Sequence, residues 1–178
     1  MSVCIVSFSS RKNGNCEKIA EYVNSLYPRA KRYDFSKIKL NACGNCKYQC
    51  FDKGSKCPHA RDKEREILDA VTNSELAIFI VPNYSNYPCS NYFVFNERGI
   101  CYFSKNDDLL TEYLQVPKKF IVVSNTNEDH FKEAFRYQTV GEPDVLFLAA
   151  LEYGKTSTSG DLLTSSEAVE DLKEFLHE

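Results

Sequence analysis

Short runs of consecutive apolar residues alternate along this chain with stretches in which apolar residues recur every three or four positions. Val3-Cys-Ile-Val-Ser-Phe8 is the first run and Lys31-Arg-Tyr-Asp-Phe35 a weaker second. Leu76-Ala-Ile-Phe-Ile-Val81 is the clearest, closed by Pro82, and Phe120-Ile-Val-Val123 and Val145-Leu-Phe-Leu-Ala149 follow. Runs that are apolar at successive positions fit strands buried on both faces, since a strand with one wet face would alternate. Between them, Cys16, Ile19, Ala20, Val23 and Leu26 keep the helical repeat until Pro28. Ile67, Leu68 and Val71 mark a second helix, and Leu109, Leu110, Tyr113 and Leu114 share one face within the aromatic stretch 90–116. Phe131, Ala134 and Phe135 suit another helix, and a Ser/Thr/Gly loop, Thr156–Gly160, precedes a last one through Ala168, Val169, Leu172, Phe175 and Leu176. Doubly buried strands separated by helices imply a parallel sheet between two helical layers. Right-handed crossovers then favour a doubly wound, three-layer α/β sandwich.

With 178 residues, 43% hydrophobic and 26% charged, one soluble domain over 1–178 is expected, with neither repeat nor linker to divide it. A net charge of −3 gives no reason to expect nucleic acid or an anionic membrane as partner. No apolar run approaches the roughly 18 residues of a membrane span. Met1-Ser-Val-Cys leads straight into the first strand with no basic or long apolar leader, so a cytoplasmic location is the expectation. There, eight cysteines read as thiols or metal ligands rather than as disulfides.

Ligands of open α/β sheets bind beyond the carboxyl ends of the strands. The loop after the first strand, Ser7-Phe-Ser-Ser-Arg-Lys-Asn-Gly-Asn15, offers the hydroxyls of Ser9 and Ser10, the cation of Arg11, the amides of Asn13 and Asn15, and a flexible Gly14. It enters a helix at Cys16, whose first N–H groups favour a phosphate. The same residues also suit a plain helix cap within a solvated loop. Ser9-Ser-Arg-Lys-Asn-Gly-Asn-Cys16 resembles the phosphate loop of the NADPH-dependent FMN reductase and iron–sulfur flavoprotein group, G-S-P-R-x-x-G/S-N-T/S, with Ser9, Arg11, Gly14 and Asn15 matching. Phe8 stands for the usual Gly, Ser10 for Pro, and Cys16 for the final hydroxyl residue. A second likeness lies after the third strand. Pro82 and Tyr84 of Pro82-Asn-Tyr-Ser-Asn-Tyr87 align with the group's P-x-Y segment, and Phe95 and Arg98 with a later F-x-D-R, Asn96 taking the acidic position.

The resemblance implies a flavodoxin-like fold, a five-stranded parallel sheet in the order 2-1-3-4-5 with helices on both faces. It also implies non-covalent FMN. Ser9, Ser10, Arg11, Asn13, Asn15 and Cys16 would hold the phosphate; Pro82, Asn83, Tyr84, Ser85, Asn86 and Tyr87 would frame the ring; Ser124 and Asn125, after the fourth strand, would complete the site. Tyr84 or Tyr87 would supply an aromatic wall. Taken alone, the loop after the third strand reads first as a strand stop with half-buried tyrosines, and Ser124-Asn-Thr-Asn127 reads first as a turn.

A cysteine-rich insertion occupies about 41–60, with Cys43, Cys46, Cys50 and Cys57 spaced C-x2-C-x3-C-x6-C. Compact thiol sets bind [4Fe–4S] clusters or zinc, or serve as redox thiols. The iron–sulfur flavoproteins this region resembles use C-x2-C-x2-C and a later cysteine, one residue shorter in the middle step. His59 follows as a substitute ligand or a surface residue, while Cys89 and Cys101 carry no spacing that links them to the set. The expected function is an FMN-binding oxidoreductase or electron-transfer protein, with no side chain needed as acid, base or nucleophile. NAD(P)H or a protein donor or acceptor would be its partner, in a homo-oligomer, most simply a homodimer. The rival is a flavin-free scaffold of the same fold whose cysteines hold structural zinc or sense redox state.

Overall fold

The computed structural model describes residues 1–44, 49–51, 57–104, 107–126 and 131–177. The chain runs β1 (Val3–Ser7), α1 (Asn15–Leu26), β2 (Lys31–Asp34), α2 (Glu64–Thr72), β3 (Leu76–Tyr84), β4 (Tyr87–Pro88), α3 (Ser90–Phe103), α4 (Asp107–Gln115), β5 (Lys118–Ser124), α5 (Phe131–Phe135), β6 (Asp144–Ala149) and α6 (Ser166–His177). The strands lie in the order β2-β1-β3-β5-β6, all parallel, and β4 is a two-residue antiparallel addition to β3. With that addition left out of the count, this is the expected 2-1-3-4-5 flavodoxin-like sheet.

Successive strand residues feed two separate cores, which is why the strands read as unbroken apolar runs. Cys4, Val6 and Phe8, with Phe79, Val81 and Phe120, pack with residues of α2, α3, α4 and α5. Val3 and Ile5, with Ile78, Ile80, Ile121 and Val123, pack with residues of α1 and α6. Both faces are thereby occupied, and polar chemistry is left to the strand ends. Among the described residues no helix is long and apolar enough to cross a membrane.

Three details depart from the periodicity or sharpen it. Pro82 does not end β3, which continues to Tyr84. Ala77 N–H donates to the Pro117 carbonyl on the β5 side, whereas the Ile80 carbonyl accepts from Phe8 on the β1 side. Alternation turns the Pro82 nitrogen toward β1, whose pairing with β3 has already ended at Ile80, so no donor is missed. The 90–116 stretch forms two helices, α3 and α4. Its aromatic start is largely core: Tyr92 and Phe95 are wholly buried and set their rings 5.4 and 5.5 Å from that of Phe8.

Phe8 itself explains one departure from the flavin-reductase loop. Its side chain is 0% exposed and is surrounded by Phe35, Phe79, Tyr92 and Phe95. The ring anchors the end of β1 in the core and leaves the loop above it clear.

Lys118, at the start of β5, is the costly exception to an apolar interior. It is 4% exposed and donates to the carbonyls of Tyr113 and Val116, with Nζ 4.3 Å from the Tyr113 ring centroid. Burial pushes its ammonium group down to about 7. Between that value and the ordinary lysine range the unfolded chain holds the proton that the folded chain has released, so rising pH stabilises the fold across this window. Lys118→Met abolishes that slope. Chemical denaturation at pH 7 and pH 10 is expected to show wild type gaining on the variant as pH rises; parallel pH profiles would show that Lys118 stays charged in the fold.

Candidate functional site

The loop from β1 to α1 turns at Asn13, whose φ of 57° lies in the left-handed region that Asn tolerates better than most residues. Its N–H donates to the Glu17 carboxylate one turn into α1, and this bond is the main reason the Glu17 carboxyl lies below its ordinary range. Ser9 is buried and its Oγ accepts the Arg11 N–H at 3.2 Å. No side chain caps α1 at Gly14, so the first amides of the helix face the cleft without a side-chain acceptor. Asn91, from α3, fixes the outer side of the loop by donating from Nδ2 to the Phe8 carbonyl and to Ser10 Oγ, both at 2.8 Å.

Asn15 is buried, and its carboxamide is fully engaged. Nδ2 donates to the carbonyls of Thr156 and Ser157 at 3.2 and 3.0 Å, and Oδ1 accepts the Leu162 N–H at 3.0 Å. The side chain expected to hold phosphate thus latches the loop that follows β6, and only its main chain is left for a ligand. That loop closes on the first: Gly160 has φ +76°, and a Cβ there would stand 2.9 Å from the Asn13 carbonyl oxygen. Lys18 Nζ donates to the Gly160 carbonyl.

The end of β3 forms the opposite wall. Ser85 and Asn86 have φ of 53° and 68°, two left-handed residues in succession as in a type I′ hairpin turn, and Tyr84 pairs with Tyr87 across it. Asn83 Oδ1 accepts the Asn86 N–H, and its Nδ2 donates to Ser124 Oγ, each at 2.8 Å. Asn125 Oδ1 accepts the Ser157 N–H at 2.8 Å. The loops after β1, β3, β5 and β6 are therefore joined by side-chain amides and hydroxyls. Between them lies a cleft lined by Ser9, Arg11, Gly14, Asn15 and Cys16 on one side and by Pro82, Asn83 and Tyr84 on the other. Ser157 and Thr158 close its end. Tyr84 and Tyr87 stand at its rim, 57% and 60% exposed.

Two thiols lie beneath the loop. Burial pushes Cys16 up to about 12 and Cys89 to about 11, so both remain neutral at ordinary pH. Cys89 Sγ donates to the Phe8 carbonyl at 3.3 Å. These are packing residues, and a nucleophilic role for either is unsupported.

The cysteine insertion packs elsewhere, against α3. Cys46 lies outside the described residues. Cys43 N–H donates to Glu97 Oε1 at 2.7 Å, Cys50 is buried in a short 3-10 turn, and Arg98 Nη2 stands 3.8 Å from Cys57 Sγ. Arg98 is itself buried, donating to the Asn41 carbonyl and to Asp62, both at 2.7 Å, with Glu64 3.0 Å away. Burial alone would raise the Asp62 carboxyl, but the hydrogen bonds and charge of Arg98 hold it below the usual range. Glu64, buried without such hydrogen bonds, is pushed up to about 8. Among the described residues no three His, Cys, Asp or Glu side chains are arranged to hold a metal ion.

Sequence reasoning overlooked Asn91, Gly160, Ser157 and Thr158. The Ser/Thr/Gly loop was visible, and its position beyond the carboxyl end of the last strand was the available signal. Asn91 had none, because it acts through a contact between α3 and β1.

No protein-family model matches the chain. Over 105 residues it is 31% identical to an iron–sulfur flavoprotein of Clostridioides difficile (strain 630), a match covering 56% of this chain and 46% of that relative. The matched part thus spans less than half of the relative's length. Among solved structures, the Trp repressor binding protein of Bacillus subtilis superposes with a TM-score of 0.64 at 14% identity, covering 98% of this chain and 96% of that one. FerB of Paracoccus denitrificans, described as a flavoenzyme NAD(P)H:(acceptor) oxidoreductase, gives 0.54 at 13%, covering 99% and 95%. The structures share the fold, and the curated relative carries the likeness in sequence.

Asn15→Ala removes three buried hydrogen bonds at once and should cost roughly 1–3 kcal/mol. Urea denaturation measures the loss, and hydrogen exchange should show the Leu162 amide losing protection ahead of the sheet. Unchanged protection there would show that the latch is dispensable.

Proposed function

We propose that this flavodoxin-like chain, of the FMN reductase and iron–sulfur flavoprotein group, binds FMN in the strand-end cleft and passes electrons from NAD(P)H or a protein donor to an acceptor. The observation that carries the reading is the start of α1. Its amides meet no side-chain cap, and they open onto a cleft whose walls are held rigid by hydrogen bonds between the loops. A dianionic phosphate suits those amides, the helix dipole and the exposed Arg11 guanidinium together. Ser10 and Asn13 are exposed in the same loop, while Ser9, Asn15 and Cys16 line the cleft.

Tyr84 and Tyr87 offer flat faces at the hairpin tip against which a ring system can lie. Pro82, Asn83, Ser85 and Asn86 frame it through the main chain, because the Asn83 side chain already serves the turn and Ser124. Ser124 and Asn125 hold the neighbouring loop in register for it. When bound, FMN supplies the two-electron and one-electron chemistry, and the protein supplies position and electrostatics. The neutral thiols and the buried amides beneath the loop exchange no proton with it.

Cys43, Cys46, Cys50 and Cys57 are the candidate ligand set for a cluster such as the name of the curated relative gives to that protein. The described members do not converge on a metal position. The flavin-free scaffold is the competing reading, and a homo-oligomer remains part of the proposal by resemblance alone.

Protein purified without oxygen is expected to be yellow and to release about one FMN per chain, with iron and zinc assayed on the same sample. Arg11→Ala should weaken FMN binding roughly tenfold to a hundredfold, the scale of one charged hydrogen bond, when followed by quenching of flavin fluorescence. A colourless protein that takes up no added FMN would leave the scaffold reading standing.

A further inference from the structure

A second cavity, of about 210 Å³, lies between α3, α4 and the 3-10 turn Arg136–Gln138 that follows α5. It shares no lining residue with the strand-end cleft. Leu68 and Phe95 close its inner side, each 1% exposed. Rings form the rest of the enclosure. Phe103 and Tyr113 meet in a tilted pair with centroids 5.0 Å apart, and the exposed Tyr137 marks the mouth.

Two features set this cavity apart from a packing fault. The first is Gly99, in the interior of α3, where glycine is a poor helix former. The backbone does not call for it: its φ is not left-handed, and a Cβ would meet only the Phe103 ring, at 3.4 and 3.6 Å. The bare position keeps open room that a side chain would take. The second is a buried amide. Gln138, 6% exposed, accepts the Tyr113 hydroxyl at Oε1 and donates from Nε2 to Asn96 Oδ1 at 2.6 Å. A carboxamide has two donor hydrogens and two acceptor positions. One N–H and one lone pair of Gln138 are therefore left without a partner among the described residues.

We infer that this cavity is a binding site for an uncharged, single-ring aromatic molecule bearing one oxygen, with the ring among Phe103, Tyr113 and Tyr137 and the oxygen on the Gln138 carboxamide. An apolar cavity of about 150 Å³ holds benzene, so this one has room for one ring with a substituent. Aromatic walls favour a flat ring through edge and face contacts. A hydroxyl oxygen satisfies the N–H and the lone pair that the interior leaves over. No charged side chain is among the described lining residues, so a charged ligand would be desolvated without compensation. The inference does not rest on flavin binding.

Phenol is the probe. The full isotope-labelled chain, titrated with phenol, is expected to show saturable shifts of the Gly99, Ile100 and Gln138 amide signals, with those of Gly14 and Asn15 at the strand-end cleft unmoved. Cyclohexanol, similar in size but without a π face, should bind several-fold more weakly. Gly99→Val fills the cavity and should abolish the shifts; Gly99→Ala, which favours the helix, should weaken phenol several-fold. Gln138→Met should weaken phenol about twofold to tenfold, the scale of one neutral hydrogen bond, and leave toluene binding unchanged. Shifts centred on the strand-end cleft, or none at Gly99 and Gln138, would overturn the inference. So would phenol binding to Gly99→Ala as tightly as to wild type, or cyclohexanol matching phenol. The wild-type titration locates the site even if Gly99→Val fails to fold.

Discussion

The buried carboxamide of Asn15 ties the first loop of the chain to the last. Three hydrogen bonds from one side chain reach the 156–162 segment, and the contact of Gly160 with the Asn13 carbonyl needs that segment in place. Everything above the sheet follows from this fastening. The loop after β6 closes the cleft, Asn125 meets Ser157 from β5, and Ser124 passes the constraint on to Asn83 and the tyrosine hairpin. The sheet makes this necessary, because both its faces are filled and only its edge of loops remains free to bind. A buried amide with every donor and acceptor engaged suits that task better than an apolar contact, since its bonds are directional and fix register as well as distance.

The fold was legible because the strands are buried on both faces and so appear as unbroken apolar runs. The hydrophobic pattern also located the helices, and where it erred the reason was local. Pro82 reads as a stop, yet its nitrogen falls on the side where β1 has run out. The first site loop could be placed from its own residues and its resemblance. The structure redistributes the work within it: Phe8 anchors the core, Asn15 is a latch, and Cys16 is a neutral floor. Partners 141 to 147 residues away for Asn15 leave no mark in local spacing.

The described residues of the insertion meet α3 through charged and polar contacts. Arg98 is 3% exposed, and it is compensated by Asp62 on one side while Glu64 shares the same pocket. Removing one member of such a buried group exposes the desolvation cost of the others, whereas the intact group contributes little net stability. Its value lies in direction: a guanidinium fixed by two neighbours points its remaining face at a sulfur. Lys118, with only carbonyls and a ring around it, shows the other outcome, a buried cation that lowers its cost by giving up its proton.

The distance along the chain between Asn15 and its partners also sets an order of events during synthesis. The first loop leaves the ribosome early, but its floor has nothing to hold until residues 156–162 emerge more than a hundred positions later. Until then β1 and α1 can pair and pack while the cleft has no far wall. Any guest of that cleft is therefore admitted only after residues 156–162 have emerged, and a chain halted before them would carry the first loop without the segment that closes its site.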